Sequence, residues 1–194
     1  MPSCAMPKKV DAEERRRLIA DALMRVAAEQ GLESVSLRHV ATQAGVSAGM
    51  VQHYFRTRDE MMAFALTVIR ERSEVRVTKA VTGLGDAPPP RLLLRTMIVA
   101  LLPLDDQSRD NGRVALAFLA YTAVRPAAAA DLHGETAQLV DFVASLLSVP
   151  DPVGAAAGVL ALMEGLGIYL LGGQYTGERA LRALDAHLDL LFPA

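Results

Sequence analysis

The residues whose types and spacing could do chemistry in this 194-residue chain crowd into positions 36–55. Gly45-Val46-Ser47-Ala48-Gly49 has the G-x-S-x-G form of a nucleophile elbow. That device requires a strand ahead of its serine, and here Leu37, Val40, Ala41 and Ala44 fall at helical spacing instead. The chemistry on offer is therefore that of helix ends. Ser36 is placed to cap a short helix, Gly45 supplies the left-handed residue that stops it, and Ser47 caps a second short helix. Ala41 is small where the two helices cross, and Val46 drops into the core at the turn. Met50 and Val51 face inward from the second helix, with Phe55 just beyond. These are the physical requirements of a helix-turn-helix, which delivers the amino-terminus of its second helix to a major groove.

The elements that must position this pair follow from apolar spacing and punctuation. Leu18, Ile19, Ala22, Leu23, Val26 and Ala27 form a helical stripe within residues 13–30, stopped at Gly31. Thr57-Arg58-Asp59-Glu60 reads as a capping box, with the Glu60 carboxylate returning to the Thr57 N–H, and opens a helix to about residue 81. No proline occurs between Pro7 and Pro88, and those beyond divide the rest into helical lengths of 89–103, 108–125, 127–148, 152–173 and 177–192. The Gly- and Pro-containing stretch 82–88 is the one hinge. With 5% aromatic residues and no Trp, the chain is read as all-α. Residues 1–56 form a helix-turn-helix domain, and 57–194 form a linker helix and a further helical domain.

Composition excludes several classes. Hydrophobic residues at 52% and a net charge of −2 describe a globular protein, not a disordered one. The charge is uneven: residues 1–82 hold 13 Lys and Arg against 10 Asp and Glu, and residues 83–194 hold 7 against 12. A polyanion would therefore meet the front of the chain. A single cysteine, Cys4, forbids an intrachain disulfide, and no apolar leader precedes the charged N-terminal segment, so a cytoplasmic location is expected. His39, His53, His133 and His187 show no i, i+4 carboxylate pairing, which leaves metal sites and cofactors unsupported. Residues 153–173 carry one ionised side chain, Glu164, over a length that could span a bilayer. A mid-span glutamate and the lack of aromatic or basic flanks argue against a membrane, and a helix apolar all round calls for cover by a partner subunit.

Residues 15–66, through Ala41 to Gly49, Gln52-His53-Tyr54-Phe55 and Arg58-Asp59-Glu60-Met61, resemble the DNA-binding domain of the TetR family of bacterial transcriptional regulators. Gln52-His53-Tyr54-Phe55 is closest to the betaine-synthesis repressor subgroup, whose rear domain is similar to Leu101-Leu102-Pro103-Leu104 and Glu164-Gly165-Leu166. The resemblance implies base-edge reading by Arg38 and Gln52, a guanidinium suiting guanine and a carboxamide adenine. It implies phosphate contacts from Ser36, Ser47, Tyr54 and Arg58, with Ala48 and Gly49 small enough for close approach. His53 lies at the DNA face or in the three-helix core. The family pattern usually has Tyr at position 52 and Lys at 58; a cation at Arg58 preserves a phosphate contact.

The expected protein is a ligand-responsive repressor that binds a palindromic operator as a homodimer through helices 152–173 and 177–192. A largely apolar small-molecule effector, in a pocket drawn from Met97, Leu101, Phe118, Tyr121 and Glu164, would tilt the linker helix and release the operator. The competing reading is a helical carrier or enzyme with no DNA role.

Overall fold

The structure, a computed structural model, describes residues 7–123 and 126–193, so Cys4 lies outside the described residues. Every regular element among them is helical: α1 (Pro7–Gln30), a 3-10 turn (Leu32–Ser34), α2 (Leu37–Ala44), α3 (Ala48–Tyr54), α4 (Arg58–Thr82), α5 (Pro90–Leu101), α6 (Asp106–Ala123), α7 (Pro126–Ser145), α8 (Pro152–Leu171) and α9 (Gly177–Leu191). Prolines punctuate as expected, with Pro90, Pro126 and Pro152 each opening a helix. The start of α6 comes two residues before the expected one. Asp105 and Ser108 cap it reciprocally: the Asp105 N–H donates to Ser108 Oγ at 3.0 Å and the Ser108 N–H to Asp105 Oδ1 at 2.8 Å. The bond from the Ser108 N–H, above all, holds the Asp105 carboxyl below the usual carboxylate range.

Contacts cluster the chain into two units. One runs to Glu71 and includes Arg113–Phe118; the other holds Arg72–Gly112 and the chain from Leu119 onward. The division falls inside α4, a helix of 25 residues with neither proline nor glycine.

In the first unit α1 packs on α2 and α2 on α3. Ile19, Leu23, Val26, Val40, Val51 and Phe55 are almost wholly withdrawn from solvent there. Val46, expected in the core at the turn, is only half-buried, because the left-handed Gly45 leaves it at the edge of the α2–α3 corner. Two further expected core residues are exposed. Leu18 is 37% exposed because it lines up with the exposed Arg25 two turns on, at the flank of the α1 stripe. Met50 is 37% exposed because Val51 and Phe55 take the inward face of α3, leaving Met50 in line with His53. The capping box at α4 also differs in one bond. The Glu60 N–H donates to Thr57 Oγ1 at 3.1 Å as expected, but the Glu60 carboxylate accepts from Arg56 N–H at 2.9 Å, since the bend at Arg56 and Thr57 turns the earlier N–H toward it.

Two arginines tie α1 to α4. Arg17 meets Glu71 at 2.8 Å as well as Glu13 one turn back at 3.2 Å. The Arg16 guanidinium lies over both the Phe55 and Phe64 rings, 5.0 and 4.3 Å from their centroids, and its buried Nε makes no hydrogen bond. It is held by ring faces.

In the second unit α5 packs on α9, α7 on α8 and α8 on α9. Leu94, Ile98, Val159, Leu170, Leu184 and Leu188 sit at its centre. Arg95 binds both oxygens of Asp185 at 2.5 and 3.0 Å, and Arg91 binds Asp189 at 2.6 Å, so α5 and α9 are joined by a double strap of charge. Arg95 holds the Asp185 carboxyl below its ordinary range.

Along one side of α8, among the described residues, Gly154, Ala157, Gly158, Ala161, Glu164 and Ile168 are all exposed. A Cβ added at Gly158 or Gly165 would meet nothing within 4 Å. This helix is long and apolar enough to cross a membrane by length and composition. Its composition is equally that of a helix awaiting a protein neighbour.

Candidate nucleic-acid interface

Each motif helix is capped by the serine the sequence pointed to. Ser36 Oγ accepts from His39 N–H and Ser47 Oγ from Met50 N–H, both at 3.1 Å. Because these hydroxyls accept inside the chain, each keeps its own O–H to donate outward. Gly45 sits at φ 67°, ψ 29°, and its N–H bonds Ala41 and Thr42 carbonyls, after which Val46 N–H donates to Ala41 O at 3.0 Å. This left-handed residue is what folds α3 back across α2.

The turn leaves the start of α3 clear. Ser36, Arg38, Ser47, Gly49, Gln52 and His53 are exposed, and Ala48 and Tyr54 are half-buried. Arg38 is the exposed cation on α2 and Gln52 the exposed amide on α3. The His53 and Tyr54 rings meet edge to face, with centroids 5.1 Å apart, so His53 lies on the outer surface and not in the three-helix core. At Gly49 an added Cβ would meet only Ser47 Oγ, at 3.9 Å. No contact among the described residues demands a glycine there.

Arg58 stands differently. One of its terminal nitrogens donates to the Leu32 carbonyl at 2.6 Å, and its buried Nε makes no hydrogen bond. The side chain thus ties the start of α4 to the turn after α1, and its remaining N–H groups are what it can offer to a phosphate. Met50 is the residue of this surface that sequence reasoning assigned to the core. The signal for its exposure was the i, i+4 pairing of Val51 with Phe55, which already fills the inward face.

The rear residues are distributed over three helices. Met97 and Leu101, one turn apart on α5, are half-buried, as is Tyr121 on α6. Phe118 is 4% exposed and groups with the first unit, whereas the other four group with the second. Among the described residues no cluster of His, Cys, Asp or Glu could hold a metal ion.

Residues 19–63 match the family described as bacterial regulatory proteins, tetR family, and residues 90–193 match the BetI-type transcriptional repressor C-terminal domain. The chain belongs to the TetR family. Within that family, this repressor is 30% identical over 194 residues to the HTH-type transcriptional regulator BetI of Burkholderia cenocepacia, an alignment covering 96% of this chain and 98% of that one. Its fold is similar to the crystal structure of a transcriptional regulator from Rhodococcus sp. RHA1, with a TM-score of 0.82 and 34% identity over 91% of this chain and 95% of that one. It is also similar to the multidrug-binding protein EbrR complexed with imidazole, at a TM-score of 0.70 and 26% identity over 100% and 98% of the two chains.

In this TetR-family chain Glu164 is exposed as a residue, yet the apolar atoms around its carboxyl displace enough water to push its pKa up. A carboxyl whose pKa is raised by folding binds protons more tightly in the folded state, so its contribution is fully present in acid and lost as pH rises through the carboxylate range. Glu164→Gln should therefore melt higher than the parent chain at neutral pH, with the difference closing as pH falls. A variant that melts lower at neutral pH would instead place Glu164 in an ion pair.

Proposed function

We propose that this repressor binds a palindromic operator as a homodimer in the bacterial cytoplasm and is released by a small-molecule effector. The observation that carries the reading is the start of α3: a capped helix end with free polar side chains around a glycine that no internal contact requires. We assign residues 1–56 to operator binding and 57–194 to linkage, effector binding and pairing. Arg38 and Gln52 read base edges, and Ser36, Ser47, Tyr54 and Arg58 hold phosphates. Ala48 and Gly49 let the backbone approach, and His53 sits beside them on the same surface.

The homodimer is supported by the uncovered small-residue face of α8, which a symmetry mate would bury with α9 as a four-helix bundle. The effector site is drawn from Met97, Leu101, Tyr121 and Glu164, all of the second unit, and EbrR, which is complexed with imidazole, supports a ligand in this kind of fold. A ligand of this site would be largely apolar.

Two substitutions test the operator reading. Arg38→Ala should cost about 1–3 kcal/mol of operator affinity and relax sequence preference. Arg58→Ala should weaken binding to all duplexes, reduce the salt slope by about one charge, and lower the melting temperature because the bond to Leu32 O is lost. Retention of full affinity and full sequence preference by Arg38→Ala, measured by fluorescence anisotropy, would remove Arg38 from the interface.

A further inference from the structure

We infer that Met50 is a specificity-determining residue, reading the 5-methyl group of a thymine in the major groove of the operator. The inference rests on the operator reading above and adds a residue to it. Met50 is the third residue of α3, and the inward face of that helix is already filled by Val51 and Phe55, both fully buried. The Met50 backbone N–H is committed to Ser47 Oγ. Only the side chain is left to act, and it is 37% exposed on the surface that carries Gly49, Gln52 and His53.

Direction and chemistry narrow the target. A long side chain on a helix leans back toward the helix N-terminus, so the Met50 thioether reaches toward the end of α3 that Ser47 caps. Beside it, Gly49 leaves room for a surface to come close. An unbranched thioether has nothing to offer a hydrogen-bonding base edge, but it is flexible and polarisable and packs well on a methyl group. In the major groove the apolar group on the base edges is the thymine 5-methyl. Gln52 lies at the opposite edge of the exposed arc of α3, with His53 and Gly49 between, so its polar contact falls on a different base from the one Met50 meets.

The test begins by enriching a random duplex pool with the full-length protein and taking the selected half-site. Each thymine is then replaced in turn by deoxyuridine, which pairs identically and lacks the methyl group. One position should show a loss of about fourfold, the value expected for one buried methyl group. In Met50→Ala that loss should vanish at that position alone, and Met50→Leu should retain most of it. At the same position a 5-methylcytosine·G pair should outbind cytosine·G for the parent chain. That comparison separates recognition of the methyl group from recognition of thymine's other groups.

Equal loss on uridine substitution in the parent chain and in Met50→Ala would overturn the inference. So would uniform weakening of thymine and uridine duplexes by Met50→Ala, which is the result for a contact to sugar and phosphate. Failure of the full-length protein to enrich any duplex would fell the operator reading itself, and this inference with it. Melting curves of the variants should superimpose on the parent, since Met50 is not part of the core.

Discussion

Gly158→Arg should sediment as a monomer at concentrations where the parent chain sediments as a dimer, and should lose operator binding with it. The site is an exposed glycine on the uncovered face of α8, with nothing within 4 Å of an added Cβ. The free protomer therefore tolerates the long side chain. In the dimer proposed above the same position would be closed by a second copy, and an arginine there would overpack and strand a cation. Overpacking alone costs about 1–3 kcal/mol and a buried unpaired charge about 3–5 kcal/mol, enough to weaken pairing by a thousandfold or more. Since one recognition helix would span only a few base pairs, operator affinity should fall as the two halves of the proposed dimer separate. A useful companion is Gly158→Ala, which should raise protomer stability by about 1 kcal/mol through helix propensity while loosening the pair. An intact dimer for Gly158→Arg in sedimentation velocity would move the interface off α8.

The second large effect belongs to Phe55→Ala. Phe55 is fully buried, follows the last turn of α3, and stacks with Phe64 of α4 at 5.5 Å while supporting the Arg16 guanidinium. Deleting a buried aromatic ring costs about 3–5 kcal/mol, and here it also removes one of the two ring faces that hold a cation whose Nε has no other partner. The first unit should unfold at a lower temperature, and proteolysis should cut within residues 13–71 first. Duplex binding should be lost at temperatures where the straps between α5 and α9 still hold. Retained binding with an unchanged melting curve would mean that the orientation of α3 is set elsewhere.

Much of the fold was legible in the sequence because its signals are local. Ser36, Gly45 and Ser47 act within four residues of themselves, and the structure places their caps and the left-handed turn where spacing put them. The prolines at 90, 126 and 152 open their helices for the same reason. What escaped was rotation about a helix axis by a single position. Leu18 and Met50 are apolar residues next to apolar residues, and periodicity alone does not say which edge of a stripe meets the core. Arg58 escaped in another way. Its partner is the carbonyl of Leu32, 26 residues away, and no pattern in the sequence announces a bond to a backbone oxygen at that distance. The Asp105 and Ser108 pair was present as spacing but does not follow the usual Ser/Thr to Glu order.

The uninterrupted run of α4 has a mechanical consequence. Its 25 residues contain no proline or glycine, and as an unbroken α-helix they make a rod about 37 Å long. A pivot of only about 5° about one end of such a rod sweeps the other end through roughly 3 Å. The length of α4 is therefore a lever in its own right: a small rotation at one end of the helix is a displacement of several ångströms at its other end.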